Sequence, residues 1–151
     1  MRILIIFIYL FSFLVLCHEY EKNNIIVDHP ILQINSDRSK VGAGYMKIIN
    51  NSTSDIYFSK ISSEISKRLE IHEIIEENNT YKMRPVENAL LIPAGEEIIF
   101  KSKSYHAMFY NFNSTLNNND LIDATLHFSD QLNIPVKFKV IIRNNNDHQH
   151  H

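Results

Sequence analysis

Four residues of this chain belong to types that act together on metal ions: His72, Met83, His106 and Met108. Two imidazoles and two thioethers make a soft, uncharged donor set. Thioether sulfur suits Cu(I), whereas carboxylate and carbonyl oxygens suit magnesium or calcium. The set therefore points to copper handled outside a reducing cytosol. Neutral donors leave bound Cu(I) with its single positive charge and disfavour Cu(II). Residues two apart on a strand share a face, with Cα atoms roughly 6.6–7 Å apart, so His106 and Met108 can meet one ion above their strand. Plainer readings stand beside this one. A lone surface histidine is solvated, and a lone methionine fills a core. Met83 can cap the core's edge after a hairpin, and Met46 reads as core.

Other residues limit the remaining chemistries. Cys17 is the only cysteine, so no internal disulfide, cysteine zinc site or cysteine nucleophile is expected in the folded region. A blue-copper electron carrier needs a thiolate beside two histidines, which disfavours that role. A secreted zinc hydrolase needs an open site with a carboxylate base, and only Glu70 and Glu73 lie close to His72 in sequence. A metal-free adhesion module is the third reading; no enzyme activity is expected. The net charge of −2, without clusters of Lys and Arg, gives no reason to expect nucleic acid. His148, His150 and His151 form an imidazole cluster of a kind that suits Cu(II), or else a solvated tail. His18, His29 and His127 show no evident partners and read as structural or solvated. The abundance of Asn, Ile and Lys reads as base-composition bias of the genome.

The donors must be positioned by strands. Arg2 followed by the apolar run Ile3 to Leu16 reads as a signal peptide over residues 1–17, with cleavage after Cys17. The run falls short of the about 20 apolar residues a membrane span needs; an uncleaved anchor is the alternative. Beyond a polar stretch to Asn24, short apolar runs alternate with turn chemistry. A first strand is expected at Ile25–Val27, and Pro30 restricts the backbone after it. Further strands are expected at Gly42–Ile49, Ile56–Ile61, Arg68–Ile75 and Tyr81–Met83, then at Ala89–Ile92, Ile98–Lys101, Tyr105–Phe109, Ala124–Phe128 and Ile134–Ile142. Asn50-Asn51-Ser52, Asn78-Asn79 and Pro93-Ala94-Gly95 supply turns. No helical apolar period is sustained. The expected architecture is a single all-β domain over residues 24–143, with a polar tail over 144–151. Alternation places Leu69, Ile71 and Ile75 towards the core, and His72 opposite them with Glu70 and Ile74. It likewise separates His106 and Met108 from Tyr105, Ala107 and Phe109. Both histidine strands thus offer their ligands away from the core, as a surface-facing site open to a partner.

The run from Ile25 to Val140 resembles the PCu(A)C family of periplasmic copper chaperones. The matching pieces are Val41-Gly-Ala-Gly-Tyr-Met, Leu69-Glu-Ile-His-Glu, Met83-Arg-Pro-Val, Ile92-Pro-Ala-Gly-Glu and Tyr105-His-Ala-Met. That family carries Cu(I) on a His (or Met), a Met about ten residues on, and a later His-x-Met. These positions fall on His72, Met83, His106 and Met108. The resemblance implies a cupredoxin-like Greek-key β-sandwich, acting as a monomer in the periplasm. It also implies delivery of copper to the copper-site subunit of cytochrome c oxidase, with a Sco-type thiol chaperone as a further partner. Two departures stand out. The 22 residues between Met83 and His106 are about one more than the family pattern, an excess that a turn near Ser102–Ser104 would absorb. Pro30-Ile31-Leu32 replaces an aromatic residue expected after the first strand.

Overall fold

The computed structural model describes residues 19–143. The expected signal peptide and the His-bearing tail, with Cys17 and His18, lie outside the described residues. The described chain is built from strands: β1 (Glu19–Lys22), β2 (Ile25–Ile34), β3 (Val41–Asn50), β4 (Ile56–Ser62), β5 (Ser66–Glu77), β6 (Thr80–Pro85), β7 (Leu90–Ile92), β8 (Glu97–Phe100), β9 (His106–Phe112), β10 (Leu121–Phe128) and β11 (Asn133–Ile142), with one 3-10 turn at Ser129–Gln131. Buried and open positions alternate along β3, β10 and β11, as period-two side chains on a one-sided sheet must.

Hydrogen bonds link the strands in the order β6-β5-β9-β3-β2-β11-β10-β4-β7, with β1 on β2 and β8 on β3. All pairings in this order are antiparallel except β11 on β2. The sheet folds over on itself, because rings from strands that are not neighbours in it meet in the core. Phe58 of β4 lies edge-on to Phe100 of β8 at 5.7 Å, and Phe109 of β9 lies edge-on to Phe138 of β11 at 5.4 Å. The all-β sandwich expected from the sequence is thus present, and Met46 is in its core.

Local chemistry explains several details. The Asn23-Asn24 and Asn78-Asn79 pairs adopt positive φ, which suits the two-residue hairpin turns joining β1 to β2 and β5 to β6. Asn111 and Asn119 are also left-handed. In a chain with only 3 glycines, asparagine takes over the conformation that glycine usually supplies. The asparagine abundance therefore has a structural use beyond base composition. Strand structure begins already at Glu19, ahead of the expected Asn24 boundary. β2 also runs straight through Pro30. His29, with φ 47°, and Pro30 form a bulge at which the register against β3 shifts, so the proline removes no ladder bond.

β3 serves two partners along one edge. Its first half pairs with β9, and Met46–Ile49 pair with β8. The chain between β8 and β9 must therefore turn sharply, and it does so at Lys101–Ser104, with Lys103 left-handed. That turn delivers His106 to the start of β9.

Candidate metal centre

His72, Met83, His106 and Met108 come from three adjacent strands. In the antiparallel β5–β9 pair, His72 stands directly opposite His106, and Glu70 opposite Met108. The two imidazole rings lie 5.8 Å apart, tilted by 45°. β6 flanks β5 on the other side and sets Met83 opposite Ile74, on the face that Ile74 shares with His72. Met83 Sδ lies 3.1 Å from His106 Nε2. The four donors therefore share one sheet face, and two of them touch.

The expected register holds. Phe109 is fully buried and Ile71 is in the core, while His106 and Met108 face the other way. The expected open surface does not. His72 and His106 are each only 7% exposed. Tyr45, Ile74 and Tyr81, with Ser102 and Lys103 of the turn before β9, wall a shallow pocket with His106, while the His72 ring lies against the His106 and Tyr110 rings of β9. Met83 is the exception: it sits on an edge strand and is 51% exposed. The arrangement is a pair of buried nitrogens under an accessible thioether.

Each imidazole is also tied down. His106 Nδ1 donates to the Ser104 carbonyl at 3.0 Å. His72 Nε2 lies 2.8 Å from Glu70 Oε2, and Arg68 Nε lies 3.3 Å from Glu70 Oε1. The Arg68 guanidinium lies over the Tyr110 ring at 4.0 Å. His72 Nδ1 is buried and has no hydrogen-bond partner. An orphaned ring nitrogen on a histidine that stands opposite a second imidazole fits a soft cation, which would satisfy it. Among the described residues, no three His, Cys, Asp or Glu side chains gather where they could hold a metal ion. In the sequence Glu70 stands out only as a candidate hydrolytic base; its real signal is its place two residues before His72, on the same face. Glu73, on the opposite face, pairs across to Arg84 of β6.

His127, which shows no partner in the sequence, has two: Ser62 Oγ and Asn133 Oδ1, each at 2.7 Å. This network joins β4, β10 and β11 on the outside of the sheet. His29 pairs with its neighbour Asp28.

Residues 25–140 match the model of the LpqE-like family. The chain belongs to the LpqE-like family. Among sequence relatives, the uncharacterized protein RP573 of Rickettsia prowazekii (strain Madrid E) is 32% identical over 98 residues, covering 65% of this chain and 54% of that protein. The LpqE-like chain thus spans about half the length of this curated relative. Solved structures share its fold, three of them as follows. The apo PCuAC domain from PmoF1 is 19% identical with a TM-score of 0.71, over 83% of this chain and 100% of that one. The copper-bound PCuAC domain from PmoF2 is 16% identical with a TM-score of 0.69, over 83% and 99%. The CuI form of DR1885 from Deinococcus radiodurans is 18% identical with a TM-score of 0.60, over 74% of each chain. The resemblance to PCu(A)C proteins read from the sequence is borne out in family and fold.

Proposed function

We propose that this LpqE-like chain is a Cu(I) metallochaperone whose cargo is held by His72, Met83, His106 and Met108. The observation that carries this reading is the approach of Met83 Sδ to His106 Nε2, with His72 directly across the strand pair. Two Lewis bases 3.1 Å apart gain little from each other, because a thioether is a poor hydrogen-bond partner; a soft cation between them would gain from both. The copper-bound and CuI forms of proteins with this fold support the same reading.

The burial pattern suggests how such a site would exchange its cargo. His72 and His106 are fixed by neighbours, so they form the rigid floor. Met83 projects from the exposed edge strand β6, whose residues are all exposed. An incoming protein donor can displace this thioether first, while the imidazoles retain the ion. We place the exchange in the periplasm, after export by the N-terminal segment, with a monomer as the working form. The recipient in this proposal is the copper-site subunit of cytochrome c oxidase, with a Sco-type thiol chaperone as a second partner.

A Cu(I) competition titration against a coloured chelator, under reducing conditions, tests the proposal. One ion per chain is expected, and X-ray absorption of the Cu(I) form should show nitrogen and sulfur scatterers together. A shell of nitrogen and oxygen alone would remove the methionines from the site. Zinc-dependent hydrolysis without copper binding would favour a hydrolase, and no metal affinity at all an adhesion module.

The apo chain should already be folded. Its core of phenylalanine, isoleucine, leucine and valine side chains closes without any contribution from the four donors. Small zinc modules, by contrast, draw their folding energy from the metal. Circular dichroism with and without Cu(I) should therefore show the same strand content, and a coil spectrum for the apo chain would contradict this.

A further inference from the structure

His72 and His106 face each other, yet they are tied in opposite senses. The Ser104 carbonyl can only accept, so His106 carries its proton on Nδ1. In the neutral ring Nε2 is then bare, and this is the atom that meets Met83 Sδ. His72 is the mirror case. Its Nε2 faces a carboxylate oxygen of Glu70, which also only accepts, so the proton sits on Nε2. Nδ1 is left bare. Among the described residues it is the one buried side-chain nitrogen or oxygen without a hydrogen-bond partner. Burying such a stranded group is unfavourable, and a ligand would relieve it.

Glu70 is itself held in place. Its second oxygen pairs with Arg68, and Arg68 is braced against Tyr110. The two side chains carry opposite charges, so the group around the donor set adds no net charge.

We infer that Glu70 is a positioning residue: it fixes His72 as the Nε2–H tautomer, so that His72 offers Nδ1 to the ion while His106 offers Nε2. The inference rests on the Cu(I) reading and adds to it which atom of each ring binds and what enforces the choice. Metal-bound histidines commonly donate their other N–H to a carboxylate or a backbone carbonyl, and this raises their basicity and fixes their orientation. Here one histidine has the carboxylate and the other the carbonyl. Without Glu70, His72 could carry its proton on either nitrogen, and one of the two forms cannot bind through Nδ1.

Long-range proton–nitrogen NMR of the histidine rings tests this on the full chain. The apo protein should show His72 protonated at Nε2 and His106 at Nδ1. A His72 ring protonated at Nδ1 overturns the inference. Added Cu(I) should shift Nδ1 of His72 and Nε2 of His106. A shift at Nε2 of His72 instead would overturn the tautomer assignment and leave the copper reading intact. No response from either ring would sink the copper reading and this inference with it. Glu70→Ala should give His72 mixed tautomers and weaken Cu(I) by about 10–100-fold, the usual effect of losing such a partner. Glu70→Gln should largely restore both, because its carbonyl oxygen accepts the same N–H. A Gln variant as weak as the Ala variant would show that charge, and not the proton's position, matters, and would overturn the proposal. Should Glu70→Ala fail to fold, the wild-type spectra and the Gln variant still decide the question.

Discussion

Phe109→Ala should lower the unfolding free energy by about 3–5 kcal/mol, while Met108→Ala, one residue earlier, should leave stability nearly intact and weaken Cu(I) by at least about tenfold, the least that losing a ligand's outer-shell partner costs. The contrast arises from alternation along β9. Phe109 is fully buried and packs edge-on against Phe138. Its ring also fills the space that Gly44 leaves on β3, where a Cβ would come within 2.9 Å of it. Truncation leaves a cavity between two sheet faces that cannot close without moving both. Against a total stability of about 5–15 kcal/mol, that is a large share. Met108 lies on the opposite face, half-buried, with Glu70 and Ala43 as cross-strand neighbours. Its loss removes a soft donor but little packing. Denaturation midpoints and Cu(I) affinities of both variants check the pair. If Met108→Ala unfolds the chain while Phe109→Ala mainly loses copper, the register of β9 is off by one residue, and the face carrying His106 and Met108 is abandoned.

Asn50→Leu should be comparably damaging to stability and nearly silent towards copper. Asn50 is completely buried at the end of β3. Its Nδ2 reaches the carbonyls of Ser54, Ile92 and Pro93 at 2.8, 3.0 and 3.1 Å, and its Oδ1 accepts from Ser52 N–H and Oγ–H at 3.1 and 2.6 Å. One amide thus holds the 50–54 loop against the end of β7. Leucine fills a similar volume but strands these partners, at about 1–3 kcal/mol for each one left buried and unpaired. The expected total is on the order of 3 kcal/mol. Asn51 beside it is exposed, and Asn51→Ala should change stability by no more than about 0.5 kcal/mol. Asn50 lies roughly 23 Å along β3 from Ala43, the neighbour of Met108, at the usual rise per residue. Cu(I) affinity should therefore hold. Equal midpoints for the two variants would remove Asn50 from this role.

Much of this was legible in the residues alone. Period-two alternation does not depend on what the strand packs against, so Arg68–Ile75 and Tyr105–Phe109 already separated the donor face from the core face. The Asn78-Asn79 turn placed Met83 just after a hairpin, because two successive positive φ angles suit few residues. The donor types indicated a soft ion before any geometry was known. What a strand cannot show is its neighbour. That His72 meets His106, and that Glu70 meets Met108, comes from the pairing of β5 with β9, set by sheet closure across a long stretch of chain. The burial of the two histidines likewise depends on the fold: His72 packs against rings of β9, and His106 lies behind Tyr81 of β6 and the turn that β3 forces by pairing with both β8 and β9. Pro30 restricts the backbone after it, because its ring fixes φ and its nitrogen has no N–H to donate; the fold absorbs it with a bulge opposite β3. Asn50 reads as one more turn residue, since its worth lies in carbonyls about forty positions away, brought near only when β7 joins the sheet. Alternation alone separated the candidate donor side of each strand from its core side; which side chains meet there depended on strand pairing, because hydrogen bonds between strands join segments that share no local signal.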